Sequence, residues 1–434
     1  MILANVLKQF FALASCVFLL SACSEPAARK NAGESFVADV LTIDKSSVDS
    51  PGSVPKFRFG PQPFAILNNV NNLSGGGISL LQGGDLEVFE MAGSIITNGL
   101  FTGGNQPNLE YRINDGVVKP KTTKSLAMLS AMFQFDSLVS NIELLTGKKL
   151  EEFRKEFGSL RVLFQPAILI DDGGEKVRNY ETSNAAYVAG AKQFALYKTS
   201  DSEKVPLSFN PQIIAHEFGH AIFETSFFAN NYETCDSKDF DKTNLFQGRL
   251  ELEYVIRGLN EGFADFVSFV WTGSSNILES SIGKSSSAAE RNFSQIPFNY
   301  EALSSDSKTC RGGFYCLGSV WARTLLDIYQ GFNFDFRNSE QRQGFLRELV
   351  GMLKATSEKL RANNGAALPP ADADIESCRP RQMKLGLIDD EMLGTFLKAF
   401  VESSSAGSRK LYCEKIVLRF GASGFADKFR GSCL

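Results

Sequence analysis

Histidine is almost absent from this chain, which has only two in 434 residues. A metal site made of three or four imidazoles is therefore excluded, and no further histidine can act as a catalytic donor. Long runs of like charge are also missing, and 45 basic against 49 acidic residues leave a net charge of −4. This balance argues against nucleic acid as a partner. Beyond the first 22 residues, no apolar run is long enough to cross a bilayer.

Residues 1–22 have the layout of a secretory signal. Lys8 supplies positive charge, residues 10–20 are apolar except for one serine, and Leu20-Ser21-Ala22-Cys23 follows. The apolar run is shorter than the roughly 20 residues of a membrane-spanning helix. The Leu-Ser-Ala-Cys sequence resembles the lipobox of bacterial lipoproteins. That resemblance implies lipidation of Cys23, anchoring at the cell envelope by lipid alone, and, from Ser24, the outer membrane. The alternative is an ordinary cleaved signal and a soluble secreted protein.

Six cysteines remain once Cys16 and Cys23 are set aside. In an exported protein this even number predicts up to three disulfides, whose pairing the sequence leaves open. The close pair Cys310 and Cys316 could close a tight loop. A zinc site built from cysteines is the alternative, but the chain has no C-x-x-C motif. The six are Cys235, Cys310, Cys316, Cys378, Cys413 and Cys433.

The rest of the chain divides into four stretches. Residues 23–55 are rich in small and charged residues, which predicts a flexible tether. Short apolar runs between Gly/Asn clusters predict a β-rich region over residues 56–120. Residues 121–330 mix helical and strand patterns, and residues 331–434 are mainly helical. Strands first and helices later predict an α+β fold with two lobes.

Individual elements can be predicted from residue 125 onward. Apolar spacing predicts helices at 125–145, 320–329, 340–361 and 391–402. Strands are predicted at 160–170 and 184–197, separated by the turn Asp171-Asp172-Gly173-Gly174. Two carboxylates fall far short of a calcium loop's ligand set. We therefore favour a plain solvated turn there over a Ca²⁺ site.

Both histidines lie in one motif, His216-Glu217-Phe218-Gly219-His220. On a helix, an i and i+4 pair brings both imidazoles to one face, within reach of one Zn²⁺. The glutamate between them can then act as general base on a water activated by the metal. Asn210 as N-cap and Pro211 as first helical residue predict where this helix begins. Glu224 continues the same stripe, but eight residues span about 12 Å of helix, too far for the same ion.

A third ligand is predicted on a second helix, in Asn260-Glu261-Gly262-Phe263-Ala264-Asp265. Glu261 and Asp265 share one face of a helix that is otherwise apolar. Two inward carboxylates are costly unless a cation or a hydrogen-bond donor meets them. A metal ion and an imidazole N–H would meet both needs. The alternative, that both histidines are ordinary core residues, leaves the carboxylates unexplained.

The two motifs together, H-E-x-x-H and N-E-x-x-x-D, resemble those of the gluzincin metallopeptidases, in the thermolysin-like and fungalysin-like group. The resemblance implies a two-lobed fold with one Zn²⁺ between a β-rich N-terminal part and a mainly helical C-terminal lobe, and makes residues 121–330 the catalytic region. It assigns Glu261 as third zinc ligand and Asp265 as the residue that orients His216. Asn184 and Ala185 resemble the group's edge strand, which implies backbone pairing with an extended peptide substrate.

Two features depart from that group. Tyr315 stands where relatives commonly have a histidine that donates to the oxyanion. A phenol is a neutral donor, so we expect Tyr315 to take this role, with Arg323 as its substitute. The alternative for Tyr315 is a core aromatic beside a disulfide. The segment between the motifs, residues 221–259, is longer than in thermolysin-like relatives and predicts a surface loop beside the cleft.

These features predict a monomeric zinc endopeptidase of the cell envelope that acts on peptides or proteins. Two alternatives stay open. The first is a zinc-binding envelope lipoprotein with a structural or binding role and no peptidase activity, which a chelator-sensitive peptide assay would separate. The second is an aminopeptidase, which would need acidic residues to capture a free α-amine.

Overall fold

Strands fill most of the first part of the described chain and form three sheets. The structure is a computed structural model, and it describes residues 35–92, 95–172, 175–179, 184–188, 192–201, 203–228, 246–283, 291–295, 314–364, 390–421 and 433. The first sheet consists, in spatial order, of β2 (Lys56–Pro63), β1 (Val37–Asp44), β8 (Val117–Pro120) and β7 (Tyr111–Asn114). The second consists of β11 (Glu175–Asn179), β10 (Ala167–Asp172), β5 (Asp85–Ala92) and β6 (Ile95–Thr102).

The third sheet lies closest to the predicted site. It consists, in spatial order, of β12 (Ala185–Val188), β13 (Gln193–Leu196), β9 (Leu160–Phe164), β4 (Ile78–Gln82) and β3 (Ser74–Gly75). Strands β13, β9 and β4 are parallel to one another, whereas β12 runs antiparallel to β13. Strand β12 is the first strand in this order and therefore forms one edge of the sheet.

Three helices lie between β8 and β9, and the other helices make up most of the described chain after residue 210. They are α1 (Thr123–Ser140), α2 (Ile142–Thr146), α3 (Leu150–Phe157), α4 (Pro211–Phe223), α5 (Phe246–Thr272), α6 (Glu279–Ile282), α7 (Phe314–Gly331), α8 (Ser339–Asn364), α9 (Asp390–Glu402) and α10 (Arg409–Phe420). Helix α5 packs against α4 and against α7. One large apolar core joins the first sheet, the third sheet and these helices.

The predicted α+β class is confirmed, and most predicted elements are present. The helix predicted at 125–145 is observed as α1 and α2, which are separated at Asn141. The strand predicted at 160–170 is observed as β9 and β10, with Gln165 at a positive φ of 57° between them. The segment 184–197 likewise forms two strands, β12 and β13. Helices α7, α8 and α9 match the three predicted C-terminal helices, whereas α10 was not predicted.

The predicted flexible tether, residues 23–55, is wrong over its second part. Residues 37–44 form β1, which pairs along its whole length with β2 and lies parallel to β8. Ala38 and Val40 are fully buried, and the backbone N–H of Leu41 donates to Ser130 Oγ of α1 at 2.9 Å. A single short strand among small and charged residues carries a weak apolar signal. Its burial comes from partners that lie far away in the sequence.

The surface loop predicted at 221–259 is also wrong in part. Residues 221–223 complete α4, and residues 224–228 form a single π-helical turn. Helix α5 already begins at Phe246, so it contains the last fourteen positions of the predicted loop. Residues 229–245, including Cys235, lie outside the described residues, as do Cys23 and the glycines of the turn at 171–174.

One disulfide is present among the described residues, between Cys413 of α10 and Cys433. Cys316 is also disulfide-bonded. Cys310, its neighbour in the sequence, lies outside the described residues. None of the helices in the described part of the chain has the length and apolarity of a bilayer-spanning segment.

Candidate metal centre

Helix α4 carries both histidines and begins where the sequence predicted. Asn210 is its N-cap, and its Oδ1 accepts from the backbone N–H of Gln212 at 2.9 Å, while Pro211 occupies the first helical position. The Asn210 amide also donates to the hydroxyls of Ser280 and Ser281, at 3.0 and 2.8 Å. These bonds join the start of α4 to α6. The position of the motif is thus held from its N-terminal end.

Glycines let the three helices of the site approach closely. A Cβ added at Gly219 of α4 would lie 2.7 Å from the Cα of Ala264 in α5. A Cβ added at Gly262 of α5 would lie 2.2 Å from the carbonyl oxygen of Gly318 in α7. Real side chains do not tolerate such distances. The glycines inside both motifs therefore bring α4, α5 and α7 to backbone contact beside the histidines.

His216, His220 and Glu261 converge at one point. Their ligand atoms lie within 4.8 Å of one another. His216 Nε2 is 3.1 Å from His220 Nε2 and 3.4 Å from Glu261 Oε2, and His220 Nε2 is 3.7 Å from Glu261 Oε1. Tetrahedral ligands at about 2.0 to 2.1 Å from a zinc ion lie about 3.3 to 3.4 Å apart. The three donor atoms therefore have the spacing of ligands to a single ion.

The second nitrogen of each imidazole is held by a different polar residue. His216 Nδ1 lies 2.8 Å from Asp265 Oδ1, and His220 Nδ1 lies 2.9 Å from Asn260 Oδ1. Such partners fix the ring orientation and direct Nε2 toward a metal. The sequence predicted Asp265 for His216. It did not assign a role to Asn260, although that residue is one position before Glu261.

Glu261 provides a direct test of whether the site suits a cation. Its side chain is largely buried, and Oε2 accepts no hydrogen bond from the described residues, with the Arg291 guanidinium 3.6 Å away. A buried carboxylate oxygen without a donor is unfavourable unless a cation lies beside it. The group His216, His220 and Glu261 fits a metal ion by its donor types, its spacing and this unmet acceptor.

Arg291 is a charged residue of this site that the sequence did not predict. Its guanidinium forms an ion pair with Asp265 and lies 3.6 Å from Glu261 Oε2 and 3.2 Å from His216 Nδ1. Only 13% of its side chain is exposed. It follows a serine-rich stretch and belongs to no motif, so no local pattern identified it. A buried positive charge therefore lies beside the carboxylate of Glu261.

The histidine pKa values reflect the burial of the site and its carboxylates. Burial lowers the pKa of His220 to about 4, despite the opposing effect of Glu261. A neutral imidazole is the form that binds metals. Burial and Arg291 also lower the pKa of His216, but hydrogen bonds to Asp265 and Glu261 outweigh them and raise it to about 9. Asp265 and Glu261 thus favour the protonated, positively charged form of His216.

Glu217 lies beside the ligands without belonging to them. It is buried, and its Oε2 accepts the backbone N–H of Tyr187 in β12 at 2.7 Å. Burial is the main reason that its pKa rises to about 7. The hydrogen bond connects the glutamate of α4 to the edge strand of the third sheet. This contact between Glu217 and the Tyr187 backbone was not predicted from the sequence.

The edge strand β12 carries the predicted substrate residues. Asn184 accepts the backbone N–H of Tyr197 at 3.1 Å, and its Oδ1 accepts the N–H of Ala185 at 2.9 Å. Hydrogen-bonded and non-bonded pairs alternate in an antiparallel ladder, so the backbone groups of Ala185 and Tyr187 face away from β13. Strand β6, the last strand of the second sheet, also lies close to β12.

Tyr315 and Arg323 lie on the same helix, α7, but in different surroundings. The Tyr315 ring centroid is 5.3 Å from the Arg291 guanidinium carbon, and 41% of the residue is exposed, so it is not a core aromatic. Burial of the phenol and the charge of Glu261 raise its pKa. Arg323 donates to Asp327 Oδ1 at 2.8 Å and to the carbonyl of Ser294. Tyr315 therefore borders the metal site, while Arg323 is engaged by Asp327.

The chain matches no protein-family model and no curated protein. The functional conclusion therefore depends on the geometry of these side chains and on the motifs that place them.

Proposed function

We propose that the protein is a zinc-dependent endopeptidase of the cell envelope, of the gluzincin type. The observation that carries this proposal is the convergence of His216, His220 and Glu261 at ligand spacing, with Glu217 beside them. A β-rich part precedes these residues and a mainly helical part follows them. This order is consistent with a thermolysin-like two-lobed arrangement.

Zinc is the ion that best matches the donors. Two imidazoles and one carboxylate make up a common catalytic zinc set, which leaves one coordination position open. When bound there, zinc lowers the pKa of a water toward 7 and polarises a substrate carbonyl. Asp265 and Asn260 would hold the two imidazoles in the orientation that presents Nε2, as metal-binding histidines commonly require.

Glu217 is the proposed general base. Its position after His216 prevents it from sharing the ligand face, and its Oε2 is fixed by the Tyr187 N–H. A carboxylate fixed in this way can accept a proton from the attacking water and deliver it to the leaving amine. The reaction thereby needs only one residue for both proton transfers.

The edge strand is the proposed binding surface for the scissile peptide. The backbone groups of Ala185 and Tyr187 face away from β13, and Tyr187 contacts the general base directly. The N–H groups of Ala185 and Tyr187 are donated to Asn184 Oδ1 and Glu217 Oε2, so an extended peptide on this edge would donate its own N–H groups to the backbone carbonyls. Main-chain bonds of this kind are largely independent of the peptide's sequence. Since Tyr187 touches Glu217, a peptide on this edge would pass beside the general base.

Arg291 and Tyr315 are the proposed donors to the developing oxyanion. Arg291 is permanently charged and lies next to Glu261, and Tyr315 lies over its guanidinium. A donor directed at developing negative charge is commonly worth about 10²- to 10³-fold in kcat. Arg291 thus adds a charged donor to the role of oxyanion stabilisation, for which the sequence predicted Tyr315 with Arg323 as its substitute.

A glutamine substitution at Glu217 tests the proposal. Glu217→Gln keeps the side-chain shape and the ligands, so we expect one zinc per chain and a loss of peptide cleavage of about 10²- to 10⁴-fold. Zinc is measured by elemental analysis and cleavage by digestion of a peptide library. Glu151→Gln, on the exposed surface of α3, is the matched control and should cleave as the native chain does. Full activity in Glu217→Gln would refute the mechanism, and a native chain without zinc would refute the proposal.

A further inference from the structure

A second charged region lies at the C-terminal end of α5, away from the metal centre. A cavity of about 390 Å³ is bordered there by Lys45, Arg337 and Arg342, with Ser46, Ser339 and Phe336 also in its lining. Its wall includes Thr272, the last residue of α5. Seven residues separate Thr272 from Asp265, which is about 10 Å along a helix. No residue of the metal centre lines this cavity.

No carboxylate in the described part of the chain forms an ion pair with the three cations of this cavity. Within the described part of the chain, neither Lys45, Arg337 nor Arg342 has an Asp or Glu oxygen within 4.0 Å, the limit for an ion pair. Arg342 is only 2% exposed, and its guanidinium donates to the carbonyls of Val270, at 2.8 Å, and Phe336. These acceptors satisfy N–H groups but carry no charge. A buried guanidinium without a counter-ion is costly.

The nearest acidic residues are directed elsewhere. Asp44 accepts from the backbone N–H and hydroxyl of Ser46, at 3.1 and 2.7 Å. Asp49 accepts from the Ser53 hydroxyl, and Asp335 accepts the backbone N–H of Arg337 at 2.9 Å. Each carboxylate therefore stabilises its own local turn. Asp49 and Asp335 attract Arg337 and Arg342 from beyond ion-pair distance, so the positive charge of the cavity is only partly balanced.

Burial and the neighbouring cations both act on the amine of Lys45. Desolvation, Arg342 and Arg58 together lower the pKa of its amine. Repulsion among neighbouring cations makes the charged form of each one less favourable. It also lowers the stability of the fold around them. An anion in the cavity would remove this repulsion. The first turn of α8, which starts at Ser339, adds the positive end of a helix dipole to the same wall.

We propose that this cavity binds a phosphate monoester carried by a small organic molecule. A phosphate dianion matches three cations better than a monoanion does, and arginines bind phosphate oxygens with two parallel N–H groups. Ser339 offers a hydroxyl, and the Phe336 ring offers an apolar surface to the organic part. The volume exceeds that of a bare phosphate and lies within the range of small-molecule sites. A soluble ester and a phospholipid headgroup share this chemistry.

Titration calorimetry on the purified full chain tests the proposal. The probes are inorganic phosphate, glycerol 3-phosphate, and vesicles with phosphatidic acid, compared with vesicles of phosphatidylcholine alone. Binding of glycerol 3-phosphate supports the proposal and indicates a soluble ligand. Binding of phosphatidic acid vesicles without glycerol 3-phosphate supports it and indicates a lipid headgroup. If none of the probes binds at millimolar concentration, the proposal is overturned.

Three substitutions show whether any binding occurs at this cavity. Lys45→Met and Arg337→Gln change residues on the exposed side, and each should weaken binding about tenfold or more, the size expected for one charged partner. Arg342→Met is less suited because Arg342 also holds two backbone carbonyls and its loss can unfold the chain. Lys410→Met, whose side chain is 87% exposed on α10, is the control and should bind as the native chain does. Native affinity in both Lys45→Met and Arg337→Gln would overturn the assignment.

Discussion

The middle of α5 and its C-terminal end have opposite charge imbalances. In the middle, the buried carboxylates of Glu261 and Asp265 share one guanidinium, that of Arg291. Beside the end, Arg342 is a buried cation whose hydrogen-bond acceptors are neutral carbonyls. Both arrangements are unfavourable in an isolated chain, because burial of an unbalanced charge costs several kcal/mol. We interpret both as binding sites, one for a cation and the other for an anion.

The two regions differ in how their residues are held. The proposed metal ligands come from two helices that touch at glycines, and each imidazole has its own hydrogen-bond partner. The cations of the phosphate cavity come from a 3₁₀ turn, a loop and the start of α8. Rigid helices can select one ion by geometry. A cavity built from loops and helix ends selects a class of charge.

Removal of the carboxylate ligand should have the largest effect on this pair of sites. Glu261→Ala takes away one of three donors and leaves Arg291 paired with Asp265 alone, so zinc affinity should fall more than about 100-fold. Elemental analysis after dialysis against a weak chelator measures the loss. Glu217→Gln is the control, because it should keep its zinc. If Glu261→Ala kept a full equivalent of zinc, the ligand assignment would be wrong.

A methyl group at the helix crossing should have the next largest effect. Gly262→Ala places a Cβ 2.2 Å from the Gly318 carbonyl, so α5 and α7 must separate. Overpacking of this kind costs about 1 to 3 kcal/mol of the free energy of unfolding. Denaturant unfolding measures the change. Gly344→Ala in α8 is the matched control, since a Cβ there meets nothing within 4 Å and should stabilise the helix by up to about 1 kcal/mol. Equal stabilities for the two variants would show that the close contact is not needed.

Neutralising Asp265, which contacts His216 Nδ1, should lower zinc affinity less than removing a ligand does. Asp265→Asn keeps the size of the side chain but removes the charge that holds both His216 Nδ1 and Arg291. Loss of such a partner commonly lowers metal affinity about 10- to 100-fold. Zinc titration against a competing chelator measures it. An unchanged zinc affinity would mean that Asp265 serves the fold alone.

The two sites should not influence each other, and this is the smallest effect expected. They share no residue, and distant sites usually contribute additively within about 0.3 to 0.5 kcal/mol. Lys45→Met should therefore leave zinc affinity unchanged, and Glu261→Ala should leave phosphate affinity unchanged. Coupling beyond that range in either direction would show that α5 transmits a change between its middle and its end.

Sequence spacing was sufficient for the residues that one helix places on one face. The pair His216 and His220 follows from four-residue spacing, and the Glu261–Asp265 pair follows in the same way, because helical geometry is local. The start of α4 at Asn210 was predictable for the same reason, since an N-cap acts within one turn.

Residues brought in from distant segments were not predictable. Arg291 lies 75 positions from His216 and has no periodic pattern around it, and the contact of Glu217 with the Tyr187 backbone involves no side-chain signal at all. Strand β1 was missed because its burial depends on α1, nearly 90 residues away. The phosphate cavity joins residues 45 and 342, which no local pattern relates.

X-ray absorption at the zinc edge on the purified native chain tests the central claim most directly. We expect one zinc per chain, bound by two imidazole nitrogens and a carboxylate oxygen at about 2.0 to 2.2 Å, with one imidazole lost in His220→Ala. A native chain without a tightly bound transition metal, or a metal surrounded by sulfur, would contradict the claim.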